Sequence, residues 1–196
     1  MKQLGLTALL SLIPSLALAA PAVLPTRDVL VSYSLTTPGQ AAQTLQLSYN
    51  AQQELARISS DYGYYVLADL PAGRAQLVVP ALHAVVQAPD FSALTNELFQ
   101  AQDNAHFTRE GEGHYAGLTC ENYKITTQNG TANACLTKDG VVLHFSGHDT
   151  HGGADVTATS VAYAPQPASQ FQLPTGLVPL TLPSGALKSL LNPQQN

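Results

Sequence analysis

The sequence predicts a mainly antiparallel β fold (α+β) with one or two helices, in which a curved sheet or incomplete barrel is covered by a helix. Glycine, proline, asparagine and aspartate punctuate the chain at intervals of about eight to twelve residues, and the runs between them are rich in Val, Leu, Tyr and Thr. Residues 90–102 alone have a convincing helical spacing of apolar positions. The pattern therefore favours antiparallel strands over helices for most of the chain.

The first half of the chain shows the alternation that is typical of a sheet with one apolar face. Val29, Val31 and Tyr33 alternate with Leu30, Ser32 and Ser34, and further on Leu45 and Leu47 alternate with Gln46 and Ser48. The strands predicted in this half are residues 29–35, 45–49, 54–60, 64–70 and 75–86. A proline at position 80 lies inside the last of these, so that segment is expected to be an edge strand or a broken one.

The second half begins with the predicted helix and then returns to strands. Asp90 can cap the helix, and Phe91, Leu94 and Leu98 form one apolar stripe along it. The strands predicted after it are residues 106–110, 118–126, 134–138, 141–146 and 155–163. Asp139-Gly140 lies between two apolar runs and predicts a hairpin, which places Cys135 opposite His144 if the loop has two residues.

Residues 1–19 have the three-part pattern of a secretory signal peptide. A basic start precedes an apolar run over residues 4–18, and Ala-Leu-Ala at residues 17–19 is a small-x-small cleavage site. The run is shorter than the ~20 residues that span a bilayer, so cleavage is favoured over a membrane anchor. We therefore expect a periplasmic or secreted chain with no membrane span after cleavage, one β-rich domain over residues 20–183, and a C-terminal tail over residues 184–196.

Cys120 and Cys135 are the only cysteines, and in an oxidising compartment they are expected to form one disulfide. Their spacing is much longer than that of redox-active pairs, so a structural bond contributing about 3 kcal/mol is favoured. A two-residue turn at Asn129-Gly130 would place Cys120 opposite Asp139 rather than Cys135. We therefore expect a longer, irregular loop or a bulge at this point.

The charge of the chain excludes some classes of partner. Only 11% of the residues are charged, and the formal net charge is −5 at pH 7. A nucleic-acid binder needs a basic face to neutralise phosphates, so nucleic acid is not expected as a partner. The hydrophobic fraction of 45% also argues against disorder, which requires low hydrophobicity together with high charge.

No motif for catalysis is present. The sequence lacks a Gly-x-Ser-x-Gly elbow, a His-Glu-x-x-His motif and a glycine-rich phosphate loop, so a non-enzymatic protein without a cofactor is expected. The densest polar cluster contains His144, His148, Asp149 and His151, which are residue types that bind zinc or copper. The same segment is rich in glycine, and structural metal sites need rigid ligands. Metal binding by His144, His148 and His151 is therefore the weaker interpretation.

Two segments around the cysteines carry a resemblance to known domains. Residues 116–123 (Ala-Gly-Leu-Thr-Cys-Glu-Asn-Tyr) and 135–141 (Cys-Leu-Thr-Lys-Asp-Gly-Val) are similar to motifs of uncharacterised exported bacterial domains. Those domains resemble the periplasmic lipoprotein-carrier (LolA/LppX-like) fold, an incomplete antiparallel barrel wrapped around helices. The resemblance spans about residues 27–183 and implies a lipid-binding concavity. It transfers no ligand residue to this chain, and the carrier fold uses several helices where one is predicted here.

We therefore expect a binding protein for an apolar small molecule or lipid in the periplasm. The alternatives are a structural or protein-interaction module of the cell envelope, with an envelope protein as its partner, and a metal-binding protein. The ligand cavity is expected between the first two strands and the covering helix. The residues expected to line it are Val31, Tyr33, Leu45, Leu47, Phe91, Leu94 and Leu98.

Overall fold

The computed structural model describes residues 21–87, 104–128, 130–149 and 152–181. Within these residues twelve strands form one large, open and curved sheet. The strands are β1 Val29–Thr36, β2 Gln43–Asn50, β3 Leu55–Ser60, β4 Tyr65–Asp69, β5 Arg74–Val79, β6 Ala84–Gln87, β7 His106–Tyr115, β8 Leu118–Thr127, β9 Gly130–Leu136, β10 Val142–Asp149, β11 Gly152–Ala162 and β12 Val178–Thr181. The mainly antiparallel fold class predicted from the sequence is thus confirmed.

The sheet consists of two antiparallel meanders joined side by side. Its strand order is β12-β6-β5-β4-β3-β2-β1-β11-β10-β9-β8-β7. The first meander, β1 to β6, meets the second, β7 to β11, where β1 pairs with β11. Strand β12 pairs with β6 and is the only parallel neighbour among the described strands. The first and last parts of the domain are therefore held in one sheet.

Helices are almost absent from the described residues. They contain two short 3-10 segments, Pro80–Leu82 and Ala168–Phe171, and no α-helix. The predicted helix over residues 90–102 lies outside the described residues, so the expected number of helices finds no support in this structure. At the first 3-10 segment, Pro80 separates β5 from β6, and the strand pattern predicted over residues 75–86 is indeed broken there.

The hairpin at Asp139-Gly140 has the predicted strand pairing but a different loop. The N–H of Thr137 donates to the carbonyl of Val141 at 2.9 Å, so three residues rather than two lie between the paired ends. The register then shifts by one residue between Val142 and His144. Because this bulge compensates for the extra loop residue, His144 still lies opposite Cys135, as predicted.

The turn between β8 and β9 differs from the prediction. Thr127 pairs with Gly130, so the turn lies one residue earlier than Asn129-Gly130 would place it. The ladder that follows is regular, and Asn122 lies opposite Cys135. Cys120 is therefore diagonal to Cys135 on the same face, with a Cα–Cα distance of 5.3 Å. The disulfide is confirmed, whereas the expected long loop or bulge in this ladder is wrong.

Residues 163–177 form a strap that crosses one face of the first meander before the chain enters β12. The side chain of Leu177 packs against Tyr65, Leu67, Val78 and Val85, which share that face. Nearby, the guanidinium of Arg57 lies 3.8 Å from the centre of the Tyr65 ring and donates to the carbonyl of Gln170 at 3.2 Å. We call the face under the strap the back face and the opposite one the front face. The chain itself thus covers the back face.

Candidate functional site

The front face carries an uninterrupted row of apolar side chains that crosses eight strands. Residues directly opposite each other on neighbouring strands project from the same face of a sheet, so the strand registers define the row. From β11 to β12 its members are Val161, Val31, Leu47, Ile58, Val66, Leu77, Val86 and Leu180. We call this set the apolar row. It crosses the whole first meander and ends on the sheet's edge strand.

Four of the residues predicted to line a cavity lie on this front face. Val31 is opposite Leu47, and Tyr33 is opposite Leu45. Val31 and Tyr33 are buried, whereas Leu45 and Leu47 are only half-buried. The other three predicted residues (Phe91, Leu94 and Leu98) lie outside the described residues. The structure therefore brings the strand-borne part of the predicted set together on one surface.

Ile58 is the most exposed member of the central part of the row. It retains 40% exposure although it lies on an inner strand between Leu47 and Val66. An aliphatic side chain flanked by aliphatic neighbours and still accessible is a natural contact point for an apolar molecule. Sequence reasoning missed Ile58 because nothing in its own strand distinguishes it from an ordinary core residue.

Tyr33 links the two meanders on the front face by a hydrogen bond. Its phenol OH donates to the backbone carbonyl of Val142 at 2.9 Å. Register shifts occur next to both groups, between Ser32 and Tyr33 in the β1–β11 ladder and between Val142 and His144 in the β9–β10 ladder. Burial raises the pKa of Tyr33 far above the ordinary value of 10.0, so the phenol stays neutral. Its role in the face is to hold β1 against β10.

The front face of the first meander has no ionised side chain. Among the described residues of β1 to β6, every Asp, Glu, Lys and Arg lies on the back face or at a turn. In the second meander, Arg109 and Tyr123 both donate to Glu121 at 2.7 Å. The hydrogen bond from Tyr123, followed by that from Arg109, holds the pKa of Glu121 below its ordinary value. The surface is thus suited to an uncharged molecule.

His144 of the metal-binding alternative lies in a separate polar cluster. Its Nδ1 is 3.0 Å from Oγ1 of Thr157, which itself donates to Asp155 at 3.2 Å. Its Nε2 is 3.7 Å from Oδ2 of Asp155, and its ring stacks on Tyr115 with a centroid distance of 5.0 Å. These contacts account for His144 as a structural side chain packed between strands.

The structure does not assemble a metal centre in the part of the chain that it describes. Those residues contain no group of three or more His, Cys, Asp or Glu side chains that could hold an ion. The side chains of His148 and Asp149, and all of His151, lie outside what is described. Metal binding by that segment stays a prediction.

Comparison with known proteins identifies relatives by fold and not by sequence. No family model and no curated protein sequence matches the chain. A solved structure of an uncharacterised conserved protein from Thermus thermophilus has a TM-score of 0.58 at 11% identity, covering 80% of this chain and 91% of that chain. MucB of Pseudomonas aeruginosa, solved in complex with MucA, has a TM-score of 0.56 at 15% identity, covering 79% of this chain. The aligned part spans only 58% of the MucB structure.

These similarities establish the fold. A third match, an outer-membrane lipoprotein-sorting protein domain from Vibrio parahaemolyticus, has a TM-score of only 0.39 at 10% identity, covering 74% of this chain and 89% of that chain. The resemblance to the periplasmic lipoprotein-carrier fold that the sequence motifs implied is confirmed at the level of architecture. At such low identities, function must be argued from the site itself. Among the described residues, no helix has the length and apolar character needed to cross a bilayer.

Proposed function

We propose that this chain is an exported, non-enzymatic binding protein whose front face takes an apolar or lipid-like ligand in the periplasm. The observation that carries the proposal is the apolar row, which crosses eight strands without a charged residue. A structural disulfide fits an oxidising compartment, as does the N-terminal pattern of a signal peptide over residues 1–19. The domain limits expected from the sequence, residues 20–183 with a tail over 184–196, belong to the same proposal.

The physical basis of the proposed binding is the hydrophobic effect. Removing apolar surface from water contributes roughly 25 cal/mol for each Å². Leu45, Leu47 and Ile58 retain accessible surface on the front face, so an aliphatic chain lying across them would bury apolar area on both sides. Because no charged side chain lies along this part of the row, the affinity should depend little on ionic strength.

A protein partner is the second candidate, and one observation favours it. MucB, whose fold is similar over most of this chain, was solved as a complex with MucA. An apolar face can also accept the hydrophobic side chains of an extended peptide. A ligand-free domain that instead retained one envelope protein through the front face would support this reading.

Native mass spectrometry of chain purified from a periplasm tests the main proposal. The denatured mass reports whether residues 1–19 are removed and whether the bond between Cys120 and Cys135 is present. We expect additional mass of lipid size that persists in the native spectrum and disappears on denaturation. A native mass equal to the denatured mass would contradict a stably bound ligand, and stoichiometric zinc or copper would favour the metal-binding alternative.

Paired variants locate the ligand on the front face. Leu47→Gln places an amide in the apolar row, whereas Leu30→Gln makes the same change on the neighbouring strand but on the back face. Both leucines are half-buried, so their effects on stability should be similar. With the uncharged fluorophore N-phenyl-1-naphthylamine as probe, we expect Leu47→Gln to weaken binding about tenfold and Leu30→Gln to leave it unchanged. Equal effects of the two variants would remove the front face as the site.

A further inference from the structure

Three exposed aliphatic side chains lie together at one corner of the sheet. Leu82 retains 67% exposure, Val178 retains 57% and Leu180 retains 40%. We call these three residues the apolar corner. Exposed aliphatic side chains are common singly, but a contiguous group of them marks a surface that contacts another apolar phase.

The pairing of β12 with β6 brings these side chains together. Val178 lies opposite Ala84 and Leu180 lies opposite Val86, while the N–H of Val178 donates to the carbonyl of His83 at 2.8 Å. Leu82 ends the 3-10 segment just before that carbonyl. Leu180 is also the last member of the apolar row. Val178 and Leu180 therefore lie at the edge-strand end of the front face, with Leu82 next to them in the chain connection.

The described segments that form the corner carry no Asp, Glu, Lys or Arg. The sequence has no Asp, Glu, Lys or Arg from Ala75 to Pro89, and none from Val156 to Leu187. The described parts of these two stretches supply β5 after its first residue, β6, the strap and β12. His83 is the titratable side chain next to the corner. The opposite edge strand, β7, instead carries Arg109, Glu110 and Glu112.

We infer that the apolar corner inserts shallowly into the surface of a neutral, zwitterionic lipid bilayer. Side chains without charged neighbours lose no ion hydration when they enter the interfacial region, and each apolar group that they bury there favours binding. Leu180 belongs to both the corner and the apolar row, so the edge-strand end of the row would lie nearest the membrane. This inference rests on the exposed corner and does not require that the proposed ligand exists.

Two features of the corner favour a lipid surface over a protein. A stable protein interface buries about 800 Å² on each partner, and three partly exposed aliphatic side chains supply only a fraction of that area. Strand addition at β12 is also hindered. In a strand, alternate residues direct their backbone groups to opposite edges, so Pro179, which has no N–H, faces the open edge between Val178 and Leu180.

The negative net charge of the protein predicts how its binding to vesicles depends on the charge of the lipid headgroups. The formal charge of −5, which becomes −6 when residues 1–19 with Lys2 are removed, repels an anionic surface, and the corner offers no Lys or Arg to offset that repulsion. Binding to phosphatidylcholine vesicles should therefore change little with salt. Adding phosphatidylglycerol should weaken the binding at low salt, which is the reverse of what a basic membrane-binding patch shows.

Vesicle flotation of the full exported chain tests the inference. The variant Leu82→Gln, Val178→Thr and Leu180→Gln removes the apolar character of the corner while keeping a β-branched residue in β12. The matched control is Tyr62→Ser, which removes a side chain that is 62% exposed in the turn after β3. We expect the triple variant to lower the partition coefficient on phosphatidylcholine vesicles about 100-fold and the control to leave it unchanged.

Failure of the inference would be distinguishable from failure of the proposed function. Absence of vesicle binding by the wild-type chain, or equal binding by the triple variant, would overturn the membrane contact. Concentration-dependent dimerisation in sedimentation that the triple variant abolishes would also overturn it, in favour of contact between two copies. Vesicle flotation of Leu47→Gln, which changes the front face and leaves the corner intact, separates the membrane contact from the proposed ligand site, and circular dichroism verifies that the triple variant is folded.

Discussion

The two meanders of the sheet differ in the regularity of their strand pairing, although both consist of antiparallel strands. In the first meander all ladders from β1 to β6 keep one register, and the front face is apolar and uncharged. In the second meander two of the four ladders contain register shifts, and a disulfide joins β8 to β9. Regular pairing produces a broad, uniform surface, whereas bulges and a covalent bond fix a compact arrangement. The comparison predicts that changes to the second meander mainly affect stability.

Removal of the disulfide should have the largest effect. Cys120 and Cys135 are 2% and 0% exposed and close a loop with a sequence separation of 15. We expect the double variant Cys120→Ala and Cys135→Ala to lower the free energy of unfolding by about 3 kcal/mol, because the unfolded chain gains entropy and the core loses packing. Denaturant unfolding monitored by circular dichroism measures this change.

Hydrogen exchange shows whether this loss is confined to the second meander. Amides of β8 and β9 in the double variant should lose more protection than those of β3 and β4. Wild-type chain with its disulfide reduced serves as the control and should behave like the variant. A uniform loss of protection across both meanders would contradict the division between them.

A methyl group at Gly113 should be the second most damaging change. Gly113 lies in β7 directly above the disulfide, where an added Cβ would be 2.6 Å from Sγ of Cys135 and 3.0 Å from Oδ1 of Asn122. The sulfur cannot move freely, so we expect Gly113→Ala to cost about 2 kcal/mol of unfolding free energy. The control Gly147→Ala meets the rim of the Phe145 ring at 3.1 Å and Cβ of Ala132 at 3.3 Å, which are looser contacts than the 2.6 Å at Gly113. A smaller loss for Gly113→Ala than for Gly147→Ala would show that β7 is packed loosely.

Asp28 connects the strap to the regular meander and offers a third test. Its carboxylate accepts hydrogen bonds from the N–H groups of Ala51 at 2.9 Å and Gln166 at 2.7 Å. Asp28→Asn replaces one acceptor with a donor that faces an N–H, so we expect a loss of about 1.5 kcal/mol in thermal or denaturant unfolding. The control Asp61→Asn alters exposed bonds from the N–H of Thr44 and the hydroxyl of Ser60 and should cost less, because neither bond is shielded from water. Equal costs would mean that the strap contributes no more than a surface turn.

The difference between the meanders also explains what the sequence could reveal. Alternation within each strand of the first meander is enough to predict the strands and the apolar face that contains Val31 and Leu47. The apolar row was not predicted, since each member looks ordinary in its own strand and only the registers align Ile58, Leu77 and Leu180. Pattern arguments describe single strands, whereas a binding face depends on how strands pair.

The register of strand pairing was harder to predict in the second meander, where turns and bulges compensate for each other. The pairing of Cys135 with His144 was correct because the longer loop at Asp139-Gly140 and the bulge after Val142 cancel. At Asn129-Gly130 the turn begins one residue earlier, and no residue type in the sequence marks that shift. Asn-Gly favours a tight turn in isolation, but the disulfide and the burial of Cys120 decide the register.

Tyr33 joins the two meanders, and its hydroxyl gives the smallest expected effect. Tyr33→Phe leaves the carbonyl of Val142 without this donor, so we expect a loss of about 1 kcal/mol at pH 8. Burial raises the pKa of Tyr33 in the folded state above 10.0, so only the unfolded chain ionises this phenol as the pH first rises past about 10. Ionisation of Tyr33 in the unfolded chain should therefore lower the wild-type free energy of unfolding above about pH 10, and the Phe variant has no such phenol.

The pH dependence separates this contribution from simple loss of packing. At one pH unit above the pKa of the phenol in the unfolded chain, its ionisation lowers the free energy of unfolding by about 1.4 kcal/mol. The stability advantage of the wild type over Tyr33→Phe should therefore disappear near pH 11. Tyr49, whose pKa burial also raises, is present in both proteins and cancels in the difference. Denaturant midpoints at pH 8 and pH 11, with the disulfide verified by mass, measure the change. If the stability difference between wild type and Tyr33→Phe were the same at pH 8 and pH 11, Tyr33 would ionise as readily in the folded chain as in the unfolded one. The hydroxyl would then not be buried in a hydrogen bond between β1 and β10.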